Sequence, residues 1–164
     1  MPSKIHWKKK LISRSYAIYS SNQLIGQLRE KVFSQTSTGE LNDKEYKFIT
    51  SGFFKQITSI VDTKENKKIG EISYGTWMTK ATFYINNKTY YWKYDNLLNT
   101  KWSVYNEEET EIKYYGSYTN GIIEANTDDS LLLLSGLYVK NYYLQTTIAV
   151  MIAVFIPVWI TVLH

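Results

Sequence analysis

Histidine occurs twice in 164 residues, at the two extremes of the chain, as His6 and His164. A histidine base has to be held within hydrogen-bond reach of a nucleophile and oriented by a third group. His6 lies in a basic N-terminal stretch that reads as frayed, and His164 is the last residue, so both are taken as surface side chains. Cysteine is absent, which removes disulfides, thiolate metal sites and a thiol nucleophile. Carboxylates remain as the acid–base and metal-binding groups. Glu107, Glu108, Glu109 and Glu111 fall in what reads as a hairpin turn, where charge is ordinarily solvated. Asp128 and Asp129 stand just before Leu131-Leu132-Leu133-Leu134, a junction at which Asp makes local turn hydrogen bonds. No EF-hand spacing, P-loop or Gly-x-Gly-x-x-Gly is present. The expectation is a non-enzyme with no catalytic residue, no cofactor and no metal.

The cations point elsewhere. Lys8, Lys9, Lys10 and Arg14 form one basic cluster, and Lys64, Lys67 and Lys68 another, on a chain of net charge +4. Each cation near an anionic bilayer surface is worth about 1 kcal/mol. The second cluster reads as ordinary turn lysines. The first is assigned as the contact with anionic membrane lipid. Tyr90-Tyr91-Trp92 beside Lys88 and Lys93 has the composition of a base-stacking platform. Strand alternation sets Tyr91 on the face opposite Tyr90 and Trp92, however, so part of the trio is core and no nucleic-acid partner is expected.

The elements that carry these residues are strands. The chain has 15 tyrosines against 6 phenylalanines and 5 tryptophans, a composition suited to half-buried pleated surfaces. Ser15–Tyr19 turns into Leu24–Leu28, and Gln56–Val61 turns into Ile69–Ile72. Both units return through an apolar-Gly-polar-apolar sequence (Ile25-Gly26-Gln27-Leu28, Ile69-Gly70-Glu71-Ile72), a weak internal repeat in which the glycine marks a bulge or close backbone approach. Hairpins continue through Ala81–Tyr94 and Trp102–Tyr115. At Asn120-Gly121 the dipeptide predicts a type I′ turn. Ser34–Asp43 reads as a mobile loop. At typical strand and turn sizes the chain holds roughly ten to twelve strands, arranged as a sandwich or a barrel.

From Ile148 to Leu163 only Thr161 is polar. The segment is too long for a strand and apolar on both faces, which predicts a helix over 144–163 following a β-rich body over 1–143. A helix apolar all round must be enclosed by protein or by lipid. Leu144–Leu163 would reach about 30 Å, enough for a bilayer span.

The hairpin returning through Ile69-Gly70-Glu71-Ile72, the Trp77–Ile85 stretch after it, and Asp129–Tyr138 running into the apolar segment resemble the tubby C-terminal-like superfamily. Plant LURP-one-related proteins and phospholipid scramblases belong to it. The resemblance is one of layout over nearly the whole chain. It implies a single mainly-β domain, a twelve-stranded barrel closed around a hydrophobic C-terminal helix, and a membrane-linked role such as lipid binding. It favours enclosure of the terminal helix over a span, and no tubby headgroup-binding residue is matched here. The expected protein is a monomeric, cytoplasmic lipid- or membrane-surface-binding scaffold module acting at a membrane face. The alternative is a tail-anchored single-pass protein whose cytoplasmic β domain binds a partner protein. A third reading, an acyl-chain carrier, conflicts with a barrel already filled by its helix.

Overall fold

Twelve antiparallel strands close into a barrel around one helix in the computed structural model, which describes residues 4–30 and 34–162. The strands are β1 (Ile5–Lys9), β2 (Ser15–Ser20), β3 (Gln23–Glu30), β4 (Thr36–Leu41), β5 (Lys44–Ser51) and β6 (Ile57–Asp62), followed by β7 (Lys67–Tyr74), β8 (Lys80–Ile85), β9 (Lys88–Tyr94), β10 (Lys101–Tyr105), β11 (Glu111–Gly116) and β12 (Asn120–Ala125). Helix α1 spans Ser130–Val162. Each strand pairs with its neighbours in sequence, and β1 closes the ring against β12 through Ile5↔Ile123 and Trp7↔Gly121. Among the described residues, closure leaves no strand edge unpaired.

Three sequence expectations are corrected here. The basic N-terminal stretch is the closing strand, because Ile5, Trp7 and Lys9 alternate inward while His6 and Lys8 face out. Ser34–Asp43 contains strand β4, in which Ser37, Gly39 and Leu41 point inward. Its small residues misled by composition, yet they fit the space: a Cβ at Gly39 would lie 3.2 Å from both Leu134 and Phe48, so β4 is where the helix comes nearest the wall. The Asn120-Gly121 dipeptide opens β12 instead of forming a turn; the chain reverses at Ser117–Asn120. Gly121 is required by packing, since a Cβ there would meet the Trp7 indole at 2.5 Å. Paired positive φ angles, the mark of type I′ turns, occur instead at Ser21-Asn22, Asn42-Asp43 and Asn86-Asn87.

The internal repeat has a geometric counterpart. Ile18 pairs with Gly26 and Ile60 with Gly70, and in both hairpins the register shifts directly after that pair. A Cβ at Gly26 would fall 2.3 Å from the Glu40 carbonyl oxygen. The two glycines thus let the next strand cross close to the bulge, where local twist is high.

The helix begins at Ser130, well before the expected Leu144. Asp129 caps it, its Oδ1 accepting from the Leu131 and Leu132 amides at 2.9 and 3.2 Å. Buried positions run from Ser130 to Tyr143 on every side of the helix. The enclosed core helix is therefore Ser130–Tyr143, a stretch assigned from sequence to the β-rich body. The expectation that the apolar segment after Leu144 fills the barrel is overturned: its residues from Ile148 to Val162 are exposed. Leu163 and His164 lie outside the described residues.

Candidate membrane-facing end of the barrel

Strand order places alternate connections at opposite ends. The helix enters at the end holding the β2–β3, β4–β5, β6–β7, β8–β9 and β10–β11 turns, where Asn42 Nδ2 donates to Ser130 Oγ at 3.4 Å. It leaves at the other end, where Lys140 Nζ donates to the Asn99 carbonyl at 2.7 Å and Tyr143 bonds the β7–β8 loop.

Inside the barrel the helix is gripped by aromatic donors. Trp92 Nε1 and Trp102 Nε1 both donate to the Gly136 carbonyl, at 3.0 and 3.2 Å, and Tyr114 Oη donates to the Leu133 carbonyl at 3.1 Å. Gly136 is what lets Tyr114 approach, since a Cβ would sit 2.2 Å from its hydroxyl. Nearer the exit, the Tyr138, Thr50, Thr58 and Tyr74 hydroxyls form one chain with links of 2.6–2.7 Å. Tyr138 also stacks on Phe48 at 4.5 Å.

At the mouth a collar of tyrosines surrounds the emerging helix. Tyr142 stacks on Tyr74 with centroids 3.9 Å apart and its hydroxyl donates to Gln56 Oε1. Tyr143 Oη donates to the Lys80 carbonyl and accepts the Gly75 amide. The same mouth holds a polar cluster. Lys9 Nζ and Tyr16 Oη both donate to Asn141 Oδ1, at 3.2 and 3.3 Å, and Lys9 lies 4.7 Å from the Tyr118 ring centroid. Burial lowers the Lys9 ammonium and raises the Glu30 carboxyl, the latter opposed by the Asn141 amide, Arg14 and Lys9. Burial, helped by Lys9, brings Lys140 down to about 8. Lys140 sits over the Tyr94 and Trp102 rings at 4.9 and 5.2 Å, which offsets part of its desolvation.

Four of the exit-end loops share a feature absent from the described turns opposite. Leu11 and Ile12 in the β1–β2 loop are exposed, as are Phe53 and Phe54 between β5 and β6, the latter at 98%. Trp77 between β7 and β8, and Leu97 and Leu98 between β9 and β10, project likewise. These loops are braced from below. Asn96 Oδ1 accepts the Thr100 and Lys101 amides at 3.0 Å, and the Gly75 amide donates to the Lys80 carbonyl at 2.8 Å. Phe53 and Phe54 meet edge to face at 4.9 Å. Charge leans the same way: the described exit loops carry Lys10, Arg14 and Lys55 against Asp95, while the entry-end turns carry Asp43, Glu65, Glu107, Glu108, Glu109, Asp128 and Asp129 against Lys64.

Of the four assigned lipid contacts, Lys10 and Arg14 stand exposed on an exit loop and Lys8 projects from the outer wall. Lys9 is turned into the mouth and buried, so it is a structural cation of the cluster. Sequence reasoning missed the ring of loop hydrophobics. The pairs Leu11-Ile12, Phe53-Phe54 and Leu97-Leu98, each between two strands, were the available signal. Tyr90 and Trp92 are core and Tyr91 faces outward, as alternation implies. Glu108–Glu109 form a wet turn built on Asn106 Oδ1, which accepts the Glu108, Glu109 and Thr110 amides. Among the described residues no group of three His, Asp or Glu is placed to hold a metal ion.

Comparison with family models, with curated proteins and with solved structures returns no match to this chain.

Proposed function

We propose that this protein is a membrane-anchored, non-enzymatic β-barrel module, held at the bilayer by the second half of α1. The observation that carries this is the emergence of Leu144–Val162 from the barrel as an apolar helix, with none of its membrane-length window buried by protein. The core helix of a soluble domain would be covered; here Leu144–Thr147 are half-buried at the mouth and every residue from Ile148 to Val162 is exposed. At 1.5 Å per residue it rises about 28 Å, close to the ~30 Å hydrocarbon thickness. Ten of its residues are Leu, Ile, Val or Phe. On insertion scales these sum to roughly −3 to −6 kcal/mol, a favourable but modest total.

The few polar groups suit lipid. Thr146 and Thr147 turn their hydroxyls back to the Tyr142 and Tyr143 carbonyls, at 2.9 and 2.8 Å, and Thr161 bonds the Val158 carbonyl at 2.8 Å. The tyrosine collar lies where an interfacial aromatic belt belongs. Lys140, with Lys10, Arg14 and Lys55 in loops at the same end of the barrel, favours the cytoplasmic face for the barrel by the positive-inside tendency. Kinship with tubby-like barrels is part of this proposal and is supported by the strand number and the enclosed helix.

The test is membrane fractionation and flotation of the full chain beside a chain ended after Thr147, which keeps all buried helix residues. The full chain should resist alkaline carbonate and the shortened one should be soluble with its near-UV circular dichroism intact. A full chain that stays in the soluble fraction as a defined oligomer would overturn the anchor in favour of tails packed against one another.

A further inference from the structure

The loop ring and the helix exit occupy one end of the barrel, and no linker separates them. Helix α1 is continuous from Ser130 to Val162, and its charge-free apolar run starts at Ile148, five residues beyond the last buried residue Tyr143. That is about 7.5 Å of rise. The headgroup layer on each side of the hydrocarbon is itself only about 5–7 Å thick. With Ile148 at the hydrocarbon edge the mouth lies at the outer limit of that layer, and with Leu144 at the edge, as the ~30 Å span requires, it lies inside it. The loops around it cannot then stand in bulk water.

We propose that the exit end is itself a bilayer-binding face, with Leu11, Ile12, Phe53, Phe54, Trp77 and Leu97 seated at the boundary between headgroups and acyl chains. This rests on the spanning role of Leu144–Val162. Its own support is independent of that helix: seven large apolar side chains are exposed in four loops at one end, against none in the described turns at the other, where only Leu24 and Tyr84 stand exposed on the flanking strands. Scattered surface leucines need no explanation, but a rimmed cluster around an apolar helix does. Lys10, Arg14 and Lys55 among these loops match anionic headgroups, and the acidic turns opposite are kept away from them. Continuity of the rigid helix then fixes the barrel on the membrane, without the freedom of a tethered domain.

The experiment uses the full chain, whose lack of cysteine permits single labels. Phe54→Cys, Leu97→Cys, Glu108→Cys and Ile152→Cys are labelled with an environment-sensitive fluorophore and reconstituted into vesicles of phosphatidylcholine and phosphatidylserine. Lipids bearing a shallow nitroxide should quench the probes at 54 and 97 and shift their emission to the blue. The probe at 108 should remain water-like, and the one at 152 should respond to a deep nitroxide. Deep quenching at 152 with water-like probes at 54 and 97 overturns the seated face and leaves the anchor standing. Water-like probes at all four positions overturn both. Near-UV circular dichroism from the buried Trp7, Trp92 and Trp102 checks that each variant is folded.

Discussion

The two halves of helix α1 share an apolar composition and meet opposite surroundings. Ser130–Tyr143 is enclosed by strands on every side, and Leu144–Val162 touches no part of the barrel wall along its apolar run. What separates them is the company their polar atoms keep. In the inner half, Gly136, Tyr138 and Asn141 each bond to a side chain of a different strand. In the outer half, Thr146, Thr147 and Thr161 bond only to their own helix. Small and polar residues placed for particular partners mark a helix built into protein. Uniform bulk with self-satisfied hydroxyls marks one built for lipid, where no partner is offered. Being apolar on all sides says that a helix is covered and leaves open by what.

That contrast can be broken most sharply at Gly136. Gly136→Leu should prevent folding, and Gly136→Ala should cost about 3 kcal/mol in chemical denaturation, because the stacked Tyr114 ring would have to retreat from the new Cβ. Ala149→Leu, in the outer half, should leave barrel stability unchanged within about 0.5 kcal/mol. Equal sensitivity at the two sites would refute the division. A charge tests the outer half directly. Ile152→Lys costs about 2.5–3.5 kcal/mol of insertion free energy, comparable with the whole favourable total, so carbonate extraction should release the chain while the barrel melts as before. Tyr138→Phe removes the hydroxyl that closes the Thr50–Thr58–Tyr74 chain, and should cost about 1–2 kcal/mol without changing membrane retention.

The smallest effect is on pH. Lys140 in the folded protein loses its proton near pH 8, below the lysine reference of 10.5, so the unfolded chain binds more protons between those values. Stability in detergent should therefore rise from about pH 8 to 10. Above 10 the trend reverses, because burial raises Tyr16, Tyr94 and Tyr114 and the unfolded chain ionises its tyrosines first. Lys140→Met should flatten the rise and keep the fall, as thermal melts across pH 7–11 would reveal.

Much of the barrel was legible because strands announce themselves locally. The hairpins through Ser15–Leu28, Gln56–Ile72, Ala81–Tyr94 and Trp102–Tyr115 lie where alternation and polar turns place them, and the repeated glycines do mark bulges. Local pattern failed where a residue type has two uses. Glycine at 121 serves a tryptophan approaching from β1, and the small residues of β4 serve a helix arriving from much later in the chain. Lys9 reads as a headgroup contact until β1 turns it toward Asn141.

The sequence alone determines a cysteine-free chain of many short antiparallel strands followed by a helix with no polar face, since period, turn chemistry and hydropathy act between near neighbours. Only tertiary structure decides where that helix begins, which half the barrel swallows and which end collects the loop hydrophobics. Those outcomes depend on ring closure between β1 and β12 and on the number of strands, which set the end to which every loop is assigned. No window of sequence contains that information, because a pair such as Phe53-Phe54 becomes part of a surface only when three other loops are brought round to meet it.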